Sequence, residues 1–568
     1  MSRFLYLDHS IYKRSNLKDL TMQKFDSPLA AFLHWETNTP DNIFLRQPFN
    51  RQIKEYSYMN AGKEIRSIAR ALQSLNMEPK SQVGLLSKNC AHWIMADLAI
   101  MMAGHVSVPI YPTLNAHSIR QILEHSESKA VFIGKLDNYD TQKSGIPDIH
   151  KIGINAYEID EELSWEKLVE ENEPLEDIVP QKKDDLLTLI YTSGTTGNPK
   201  GVMHTVGNAA QTANTAIDIL PIQQHPRFFS FLPLSHVAER VAIEIHGIFK
   251  GAVFNFPESL ATFAEDLELA KPHLFFAVPR IYAKFQEKIL EKMPQKKLDK
   301  LLSIPILGSI VKKKIVKKLG LYETTYIASG AAPIAASLQE WFAKLGVIIH
   351  QDYGMSEDCI LSHYNLVGSN KNGTVGRALP GVTGKLSAEG EICIKSDALM
   401  EGYFKEPELT AEMFDEDGFL KTGDIGEYDH DGFLTITGRV KDQFKTDKGK
   451  YISPAPIELE LSKNLNIEQI CIVGMGIPQP IALIITSEEA KKKSEEEVNN
   501  SLVESIHELN KSLEKYERIE KAVIMQEDWS IDNGLLTPTL KVKRNQVEKI
   551  HMPMYKEWFE REEPIIYE

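Results

Sequence analysis

The sequence predicts an α/β fold built from several domain-sized units, and three observations support this. First, the 568 residues are enough for three or four units at roughly 150 residues per domain. Second, residues 1–180 alternate between helical and strand patterns, which is typical of parallel strand pairing. Third, residues 373–437 are rich in short strands bounded by glycine, and a mixed α/β pattern returns after Gly438 and runs to about residue 548.

The individual elements follow from hydrophobic spacing. Helical spacing predicts helices at 58–75, 93–102, 117–128 and about 207–220. Apolar and β-branched runs predict strands at 81–87, 105–111, 130–133 and 186–191. Asp97 and His105 interrupt the apolar stretch 93–111, and a membrane-spanning helix needs about 20 mostly apolar residues. We therefore interpret that stretch as a buried helix followed by a strand.

The charge and the cysteine content argue against several classes of function. A formal net charge of −15 repels a polyphosphate backbone, so general nucleic-acid binding is not expected. The cysteines are far apart and form no CxxC pair, which argues against a zinc site or a disulfide framework; they are Cys90, Cys359, Cys393 and Cys471. With no signal-peptide pattern at the N-terminus, we expect a cytoplasmic, reducing location.

A loop at 191–201 has the composition of a phosphate-binding site. Its eleven residues include three Thr, one Ser, three Gly and Lys200. Glycines let backbone N–H groups approach a ligand, hydroxyls donate hydrogen bonds to phosphate oxygens, and lysine adds a point charge. The P-loop pattern is excluded because Pro199 stands where its second glycine is required.

Several short motifs follow in order along the chain. They read FLPLSHVAER at 231–240, VPR at 278–280, SGAAP at 329–333, DYGMSE at 352–357, TGD at 422–424, GRVKD at 438–442 and TPTLKVKR at 537–544. Tyr353 offers an aromatic face to a base, and Glu357 offers a hard oxygen ligand to Mg²⁺. Asp424 can accept hydrogen bonds from both hydroxyls of a ribose.

These motifs, in this order, resemble those of the adenylate-forming superfamily, which includes acyl- and aryl-CoA ligases, firefly luciferase and peptide-synthetase adenylation domains. The LPLSHVAER segment and the LKVKR ending are similar to long-chain fatty acyl-CoA synthetases. The resemblance implies an acyl-CoA synthetase/luciferase-like fold. In that fold an N-terminal domain, here 1–438, has two stacked α/β subdomains and a β-rich subdomain. A small mobile C-terminal α/β domain, here 439–568, follows a hinge near Lys441.

The implied reaction has two steps. A fatty acid reacts with ATP to give an acyl-adenylate and pyrophosphate, and the acyl group then passes to CoA, giving acyl-CoA and AMP. The motifs favour long-chain fatty acids. The alternatives are an acyl-AMP ligase that loads a carrier protein and a ligase for another acid, medium-chain or aryl. The implied cofactors are ATP and Mg²⁺, with CoA as co-substrate.

The resemblance also assigns roles to residues of this sequence. The implied catalytic residues are Lys541, Lys200, Glu357 and His236. The implied nucleotide and cofactor contacts are Thr192, Ser193, Gly194, Thr195, Thr196, Gly197, Lys200, Gly330, Ala331, Ala332, Asp352, Tyr353, Gly354, Met355, Ser356, Asp424, Arg439 and, for CoA, Gly449. Thr196 and Glu357 are the implied metal ligands. Leu540 stands where the family usually has glycine before its catalytic lysine, so a shift in register would transfer that role to Lys543.

A lysine-rich segment at 291–318 leaves two interpretations open. It is either a solvated helix face or a basic amphipathic helix that contacts an anionic membrane from its inner face. The acidic and aromatic segment 552–568 suggests no function. The sequence does not indicate the oligomeric state.

Overall fold

Two large mixed sheets carry the architecture, which a computed structural model describes over residues 23–193 and 199–568. The elements as far as residue 193 are α1 (Pro28–Asn38), β1 (Ile43–Phe49), β2 (Gln52–Ser57), α2 (Tyr58–Ser74), β3 (Gln82–Leu86), α3 (Ala91–Met102), β4 (Val106–Ile110), α4 (Ala116–His125), β5 (Ala130–Ile133), α5 (Tyr139–Gln142), β6 (His150–Gly153), β7 (Leu163–Ser164), α6 (Trp165–Glu171) and β8 (Leu186–Ser193). The helices and strands predicted in this part are confirmed to within a few residues at each end.

The middle of the chain alternates in the same way. Its elements are β9 (Pro199–Thr205), α7 (Val206–Ile219), β10 (Arg227–Phe229), α8 (Val237–Glu239), a π-helical turn (Arg240–Ile245), α9 (His246–Lys250), β11 (Val253–Asn255), α10 (Phe263–Ala270), β12 (Leu274–Ala277), α11 (Pro279–Lys292), α12 (Gln295–Leu302), α13 (Pro305–Lys318), β13 (Tyr326–Ser329), α14 (Ala336–Lys344) and β14 (His350–Tyr353). The lysine-rich segment therefore spans three helices rather than one.

Short strands dominate the next part, as predicted, and a mixed unit follows. The elements are β15 (His363–Tyr364), β16 (Arg377–Ala378), β17 (Thr383–Leu386), β18 (Glu391–Lys395), β19 (Gly402–Tyr403), α15 (Pro407–Glu412), β20 (Leu420–Tyr428), β21 (Leu434–Arg439), β22 (Phe444–Lys445), β23 (Tyr451–Ile452), α16 (Pro454–Leu461), β24 (Ile467–Val473), β25 (Ile481–Thr486), α17 (Glu495–Asn510), β26 (Lys521–Ile524), α18 (Arg544–His551), α19 (Tyr555–Glu560) and β27 (Ile565–Tyr567).

The strand order explains how distant motifs come together. An eight-stranded sheet runs β19-β9-β8-β4-β3-β5-β6-β7, and a nine-stranded sheet runs β16-β15-β14-β13-β12-β10-β11-β1-β2. The inner pairs β3–β4, β3–β5 and β12–β13 are parallel, as the alternation predicted. Strand β19 returns from the β-rich part to pair with β9, so Tyr403 lies opposite Val202.

Helix α3 joins the two large sheets into one core. Every residue of α3 is buried, and the helix contacts β3 and β4 of one sheet and β1 of the other. A helix that is apolar all round belongs inside a protein, which explains why this stretch looked like a short membrane segment. In the described ranges, no helix is both long enough and apolar enough to cross a bilayer.

The sheet of the C-terminal unit extends past residue 548, where the mixed α/β pattern of the sequence ended. Its sheet has the order β24-β25-β26-β27, and β27 pairs in parallel with β26. Tyr555 and Trp558 on α19 are each about 1% exposed. The acidic and aromatic tail at 552–568, which suggested no function, supplies the last helix and the edge strand of this sheet.

Candidate active site

Most of the predicted site residues line one cleft of about 1720 Å³ between the large N-terminal part and the C-terminal unit. Those that line it are Thr192, Lys200, His236, Gly330, Ala331, Ala332, Asp352, Tyr353, Gly354, Met355, Ser356, Glu357, Asp424, Arg439, Lys441 and Lys541. Gly449 is the described exception, since it lies at the tip of the β22–β23 hairpin. Gly194, Thr195, Thr196, Gly197 and the Ser193 side chain lie outside the described residues.

The glycine- and threonine-rich loop connects two paired strands. Strands β8 and β9 are antiparallel, and Thr192 lies opposite Lys200. The Lys200 ammonium lies 5.2 Å from the centre of the Tyr403 ring. Desolvation and the nearby Lys441 lower the pKa of Lys200, and Glu357 opposes this. The strand pairing thus holds a cation beside the loop that was predicted to bind phosphates.

Tyr403 connects this cation to the predicted metal ligand. Its hydroxyl donates to Oε1 of Glu357 over 2.7 Å, and Glu357 is 9% exposed. Desolvation, together with Glu357, raises the pKa of Tyr403. Sequence reasoning did not identify Tyr403, because only the β9–β19 pairing brings it to the site.

The Glu357 carboxylate fits a magnesium site that is completed by substrate. Mg²⁺ keeps several waters and is commonly bound by one or two carboxylates together with phosphate oxygens. In the part of the chain that the structure describes, no group of three or more His, Cys, Asp or Glu side chains is arranged to hold a metal. One carboxylate facing the cleft satisfies the first requirement without such a cluster.

Asp424 is fixed by two donors from different strands. The Tyr353 hydroxyl donates to Oδ2 over 2.7 Å, and Nε of Arg439 donates to Oδ1 over 2.7 Å. Asp424 and Arg439 are paired residues of β20 and β21. A carboxylate can accept about four hydrogen bonds, so this one retains capacity for two ribose hydroxyls.

Small residues bring backbone close to the same part of the cleft. A Cβ at Gly330 would lie 3.0 Å from the Phe276 ring and 3.2 Å from the Asp352 carbonyl oxygen. The Tyr326 hydroxyl donates to the Asp352 carboxylate over 3.0 Å, and burial raises the pKa of Asp352. A flat ligand can therefore approach the backbone of 330–332 beside a rigid, hydrogen-bonded strand end.

Lys541 enters the cleft from the C-terminal unit. The surrounding protein lowers its pKa to about 8, chiefly by desolvation and also through Arg439, while Asp424 opposes the change. Burial and the charge of Lys541 together lower the pKa of His236 to about 4. Both Lys541 and Lys543 line the cleft, so the assignment of the reacting lysine to Lys541 stays a prediction.

The conformation of the turn before Lys541 shows how Leu540 replaces the glycine that the family motif usually has at this position. Leu540 has a φ of +60°, in the left-handed region that favours glycine. The Leu540 N–H donates to the Thr537 carbonyl over 2.8 Å, and the Lys541 N–H donates to the Thr537 hydroxyl over 3.0 Å. Threonine hydrogen bonds thus hold a conformation that the family motif usually obtains from glycine.

The charged end of LPLSHVAER forms a buried network rather than a ligand contact. Arg240 is fully buried, and its guanidinium donates to Asp97 over 2.9 Å, to Ser107 over 2.8 Å and to Glu244 over 3.3 Å. Burial raises the pKa of Glu239 to about 8. This network fixes the helical segment that α8, the π-helical turn and α9 form together.

The same helical segment forms one wall of an apolar arm of the cleft. It contributes Val237, Ala238, Val241 and Ala242, and the neighbouring helix α7 contributes Thr212, Ala213 and Ala216. Helix α7 begins with a reciprocal capping pair, in which Thr205 and Asn208 each accept from the other's backbone N–H. Small side chains on both helices leave space for an extended apolar group.

Comparisons with known proteins agree with this geometry. A family profile described as "AMP-binding enzyme" matches residues 32–404, and one described as "AMP-binding enzyme C-terminal domain" matches residues 441–563. A long-chain-fatty-acid–CoA ligase, FadD15, from Mycobacterium bovis is 28% identical over 93% of this chain and 96% of its own. The peroxisomal long chain acyl-CoA synthetase 7 of Arabidopsis thaliana is 28% identical over 91% of this chain and 84% of its own.

Solved structures show the same fold. The adenylation domain of a carboxylate reductase from Mycobacterium chelonae superposes with a TM-score of 0.77 at 21% identity, over 94% of this chain and 91% of that one. ATP-bound MatB from Rhodopseudomonas palustris gives a TM-score of 0.74 at 22% identity, over 93% and 99%. The predicted fold class, with its large N-terminal part and small C-terminal unit, is confirmed.

Proposed function

The chain belongs to the AMP-binding enzyme family, and from that premise we propose that it activates a long-chain fatty acid with ATP and transfers the acyl group to CoA. Family membership agrees with the predicted enzyme class. One observation carries the proposal: Lys541 of the C-terminal unit and Lys200 of the β8–β9 hairpin share a cleft whose apolar arm extends beyond His236.

The first step brings two anions together. Two unit charges about 4 Å apart repel by roughly 4 kcal/mol at a near-surface dielectric. Lys541 would lie between the fatty acid carboxylate and the α-phosphate of ATP and remove much of that cost. Lys200 would contact the departing pyrophosphate. Glu357 would hold Mg²⁺ together with phosphate oxygens and water, and the ion would neutralise charge on the leaving group.

The nucleotide would bind across the β-rich side of the cleft. The adenine would lie between the Tyr353 ring and the backbone of 330–332, and the ribose hydroxyls would donate to Asp424. Arg439 would contact the ribose and the phosphate. The hydrogen bonds to Asp424 from Tyr353 and Arg439 support this arrangement, because they orient the carboxylate before the nucleotide arrives.

The second step needs a different arrangement of the C-terminal unit. A thiol must reach the acyl-adenylate while water is excluded. We propose that residues 439–568 rotate about Lys441, so that Lys541 withdraws and the Gly449 hairpin approaches CoA. The position of Gly449 away from the cleft supports this, because a residue of the second step has no place in the first arrangement.

The acyl substrate is inferred from the relatives and from the apolar arm. The two similar ligases named above have long-chain names, and the helices lining the arm offer small residues over several turns. Transfer to a carrier protein, and activation of a medium-chain or aryl acid, are the competing activities.

One assay separates these activities. ATP-dependent hydroxamate formation would be measured on a panel of fatty and aryl acids, and acyl-CoA formation would be measured in parallel. Long-chain hydroxamates together with long-chain acyl-CoA are expected. Hydroxamate without acyl-CoA would point to a carrier-protein acceptor, and aryl hydroxamates alone would reject a fatty acid substrate.

We also propose that helices α12 and α13 contact an anionic membrane, which would place a cytoplasmic protein at its inner face. Ile306 and Ile310 are 80% and 59% exposed, and Ile304 is 45% exposed. Lysines follow on the same helix at 312–314, 317 and 318. The exposed aliphatic side chains can contact the acyl boundary of a bilayer, and the lysines can contact its anionic headgroups.

Vesicle flotation tests this contact. Ile306→Ser with Ile310→Ser, and glutamine at Lys312–Lys314, should each weaken flotation with vesicles containing phosphatidylserine. Glutamine at Lys491–Lys493 in the C-terminal unit is the matched control and should leave it unchanged. Equal flotation of all variants would reject the proposed surface.

A further inference from the structure

The apolar arm contains a polar side chain that the adenylation chemistry does not use. His246 is the first residue of α9, lines the cleft and is 1% exposed. Neither ring nitrogen has a hydrogen-bond partner of good geometry among residues 23–193 and 199–568, although the Ala242 backbone carbonyl lies near enough to raise the pKa of the ring. The Phe228 ring packs against the imidazole, with ring centres 5.7 Å apart.

His246 lies far from the place where the fatty acid carboxylate would be joined to the α-phosphate. The helical segment is continuous from α8 through the π-helical turn to α9, so His236 and His246 are ten positions apart on one wall. A helix rises about 1.5 Å per residue, which places His246 at most about 15 Å beyond His236. A fatty acid whose carboxylate lies at Lys541 would present the middle or end of its chain there.

The chemistry of a buried imidazole restricts its partner. Burial, helped by Lys250, lowers the pKa of His246 to about 3, and the Ala242 backbone carbonyl opposes this. A neutral imidazole has one donor and one acceptor nitrogen. Leaving either nitrogen unsatisfied in an apolar site is unfavourable, and a plain hydrocarbon chain satisfies neither.

We propose that the acyl pocket selects fatty acids with a hydroxyl group on the part of the chain that reaches His246. A hydroxyl can both donate and accept, so it suits either ring nitrogen. The inference rests on the proposed function and deepens it by naming a substrate class. It predicts that one hydroxyl position is preferred, because His246 occupies a fixed depth in the arm.

A hydroxyl scan tests the inference. Saturated fatty acids of one length, unsubstituted or carrying a hydroxyl at successive carbons, would be assayed by pyrophosphate release, and kcat/KM would be plotted against hydroxyl position. A single maximum, about tenfold above its neighbours, is expected. A flat profile, or a preference for a terminal carboxylate over any hydroxyl, would overturn the inference.

Variants of His246 then test whether this side chain causes the preference for one hydroxyl position. His246→Leu should reduce the ratio of hydroxy to unsubstituted acid about tenfold, and His246→Gln should retain part of it. Ile219→Leu, an apolar change on α7 outside the lining of the cleft, should leave the position of the maximum unchanged. A maximum that persists in His246→Leu would overturn the proposal, and if that variant does not fold, the wild-type profile and His246→Gln decide.

Failure of the underlying function gives a different result. If no fatty acid of any kind supports pyrophosphate release, the proposed activity is rejected together with the inference. If unsubstituted acids are activated and no hydroxyl position is preferred, the ligase activity stands and only the role of His246 is rejected.

Discussion

The charge of Lys541 depends on its surroundings in the cleft. Desolvation within the cleft and the charge of Arg439 lower its pKa to about 8, so a measurable fraction is neutral in mildly alkaline solution. Because adenylation needs the cation, kcat/KM for pyrophosphate release without CoA should fall as pH rises through about 8. Lys541→Arg should move this decline to higher pH, since guanidinium stays protonated. An unchanged decline in that variant would assign it to another group.

The two half-reactions should depend differently on Lys541. We expect Lys541→Ala to slow adenylation about 10²–10³-fold, the loss typical of one preorganised donor. Thioester formation from supplied acyl-adenylate should be retained, because Lys541 withdraws before that step. Rapid-quench measurement of each half-reaction checks this, with Lys543→Ala as the control for register. Equal loss in both half-reactions would contradict the two-arrangement mechanism.

Leu540 should store strain in the same turn. A left-handed conformation costs a non-glycine residue about 1–2 kcal/mol, and Leu540 is 49% exposed, so little burial is lost on truncation. Leu540→Gly should raise the free energy of unfolding of the C-terminal unit by about 0.5–1 kcal/mol, after allowing for the greater chain entropy of glycine. Hydrogen exchange of the amides in β24–β26 would measure this change in the free energy of unfolding.

A nearby glycine with a left-handed backbone provides a control in which strain is added rather than removed. Gly534 has a φ of +77°, and a Cβ there would meet nothing within 4 Å. Gly534→Ala should therefore destabilise the unit through backbone strain alone, by about 1 kcal/mol. If Leu540→Gly destabilises the unit as Gly534→Ala does, the leucine side chain stabilises the turn by a contact and the strain argument is wrong.

At the scale of elements, the buried ion network fixes the wall of the apolar arm. Arg240 has no exposed surface in either of its ion pairs. Removing one partner of such a network leaves uncompensated buried charge, so Arg240→Met should cost about 3–5 kcal/mol in unfolding free energy. Replacing Arg240, Asp97 and Glu244 together by apolar residues should recover much of the loss. Urea denaturation of each variant gives the comparison.

An exposed arginine supplies the control for this loss. Arg46 forms an ion pair with Glu55, and the two side chains are 34% and 44% exposed. Arg46→Met should cost at most about 1 kcal/mol, as exposed pairs do. A loss at Arg240 no larger than at Arg46 would show that the buried network does not stabilise the fold.

This buried ion network could not be predicted from the sequence, whereas many of the helices and strands could. Strands such as β3 and β5 and helices such as α2 could be predicted, because their apolar spacing is local. Asp97, one of the partners of Arg240, lies 143 positions away, and nothing in its local sequence pattern indicates this pairing. Tyr403 and His246 could not be identified as site residues for the same reason. Strand pairing brings Tyr403 to the cleft, and the position of α9 places His246 in the apolar arm.

At the scale of the whole molecule, the two-unit organisation could be predicted from motif order, whereas the structural role of segment 552–568 could not. Strand β27 is only three residues long and follows a charged stretch, so its pairing with β26 has no periodic signal. The link between the units could be located only by resemblance. The structure places Lys441 in a single 3₁₀ turn, Val440–Asp442, directly after β21.

Fixing that turn should separate the two steps. Residues in a 3₁₀ turn have φ between about −50° and −70°, and proline holds φ near −65°. Val440→Pro should therefore keep the arrangement seen here, because Arg439 before it is extended, with φ −126° and ψ 139°. It should retain most of the adenylation rate, yet slow thioester formation at least about tenfold because rotation next to Lys441 is blocked. Val440→Ala truncates the same side chain without fixing φ, so it should retain both steps. Acyl-CoA formation by the proline variant at the wild-type rate would place the rotation elsewhere in the chain.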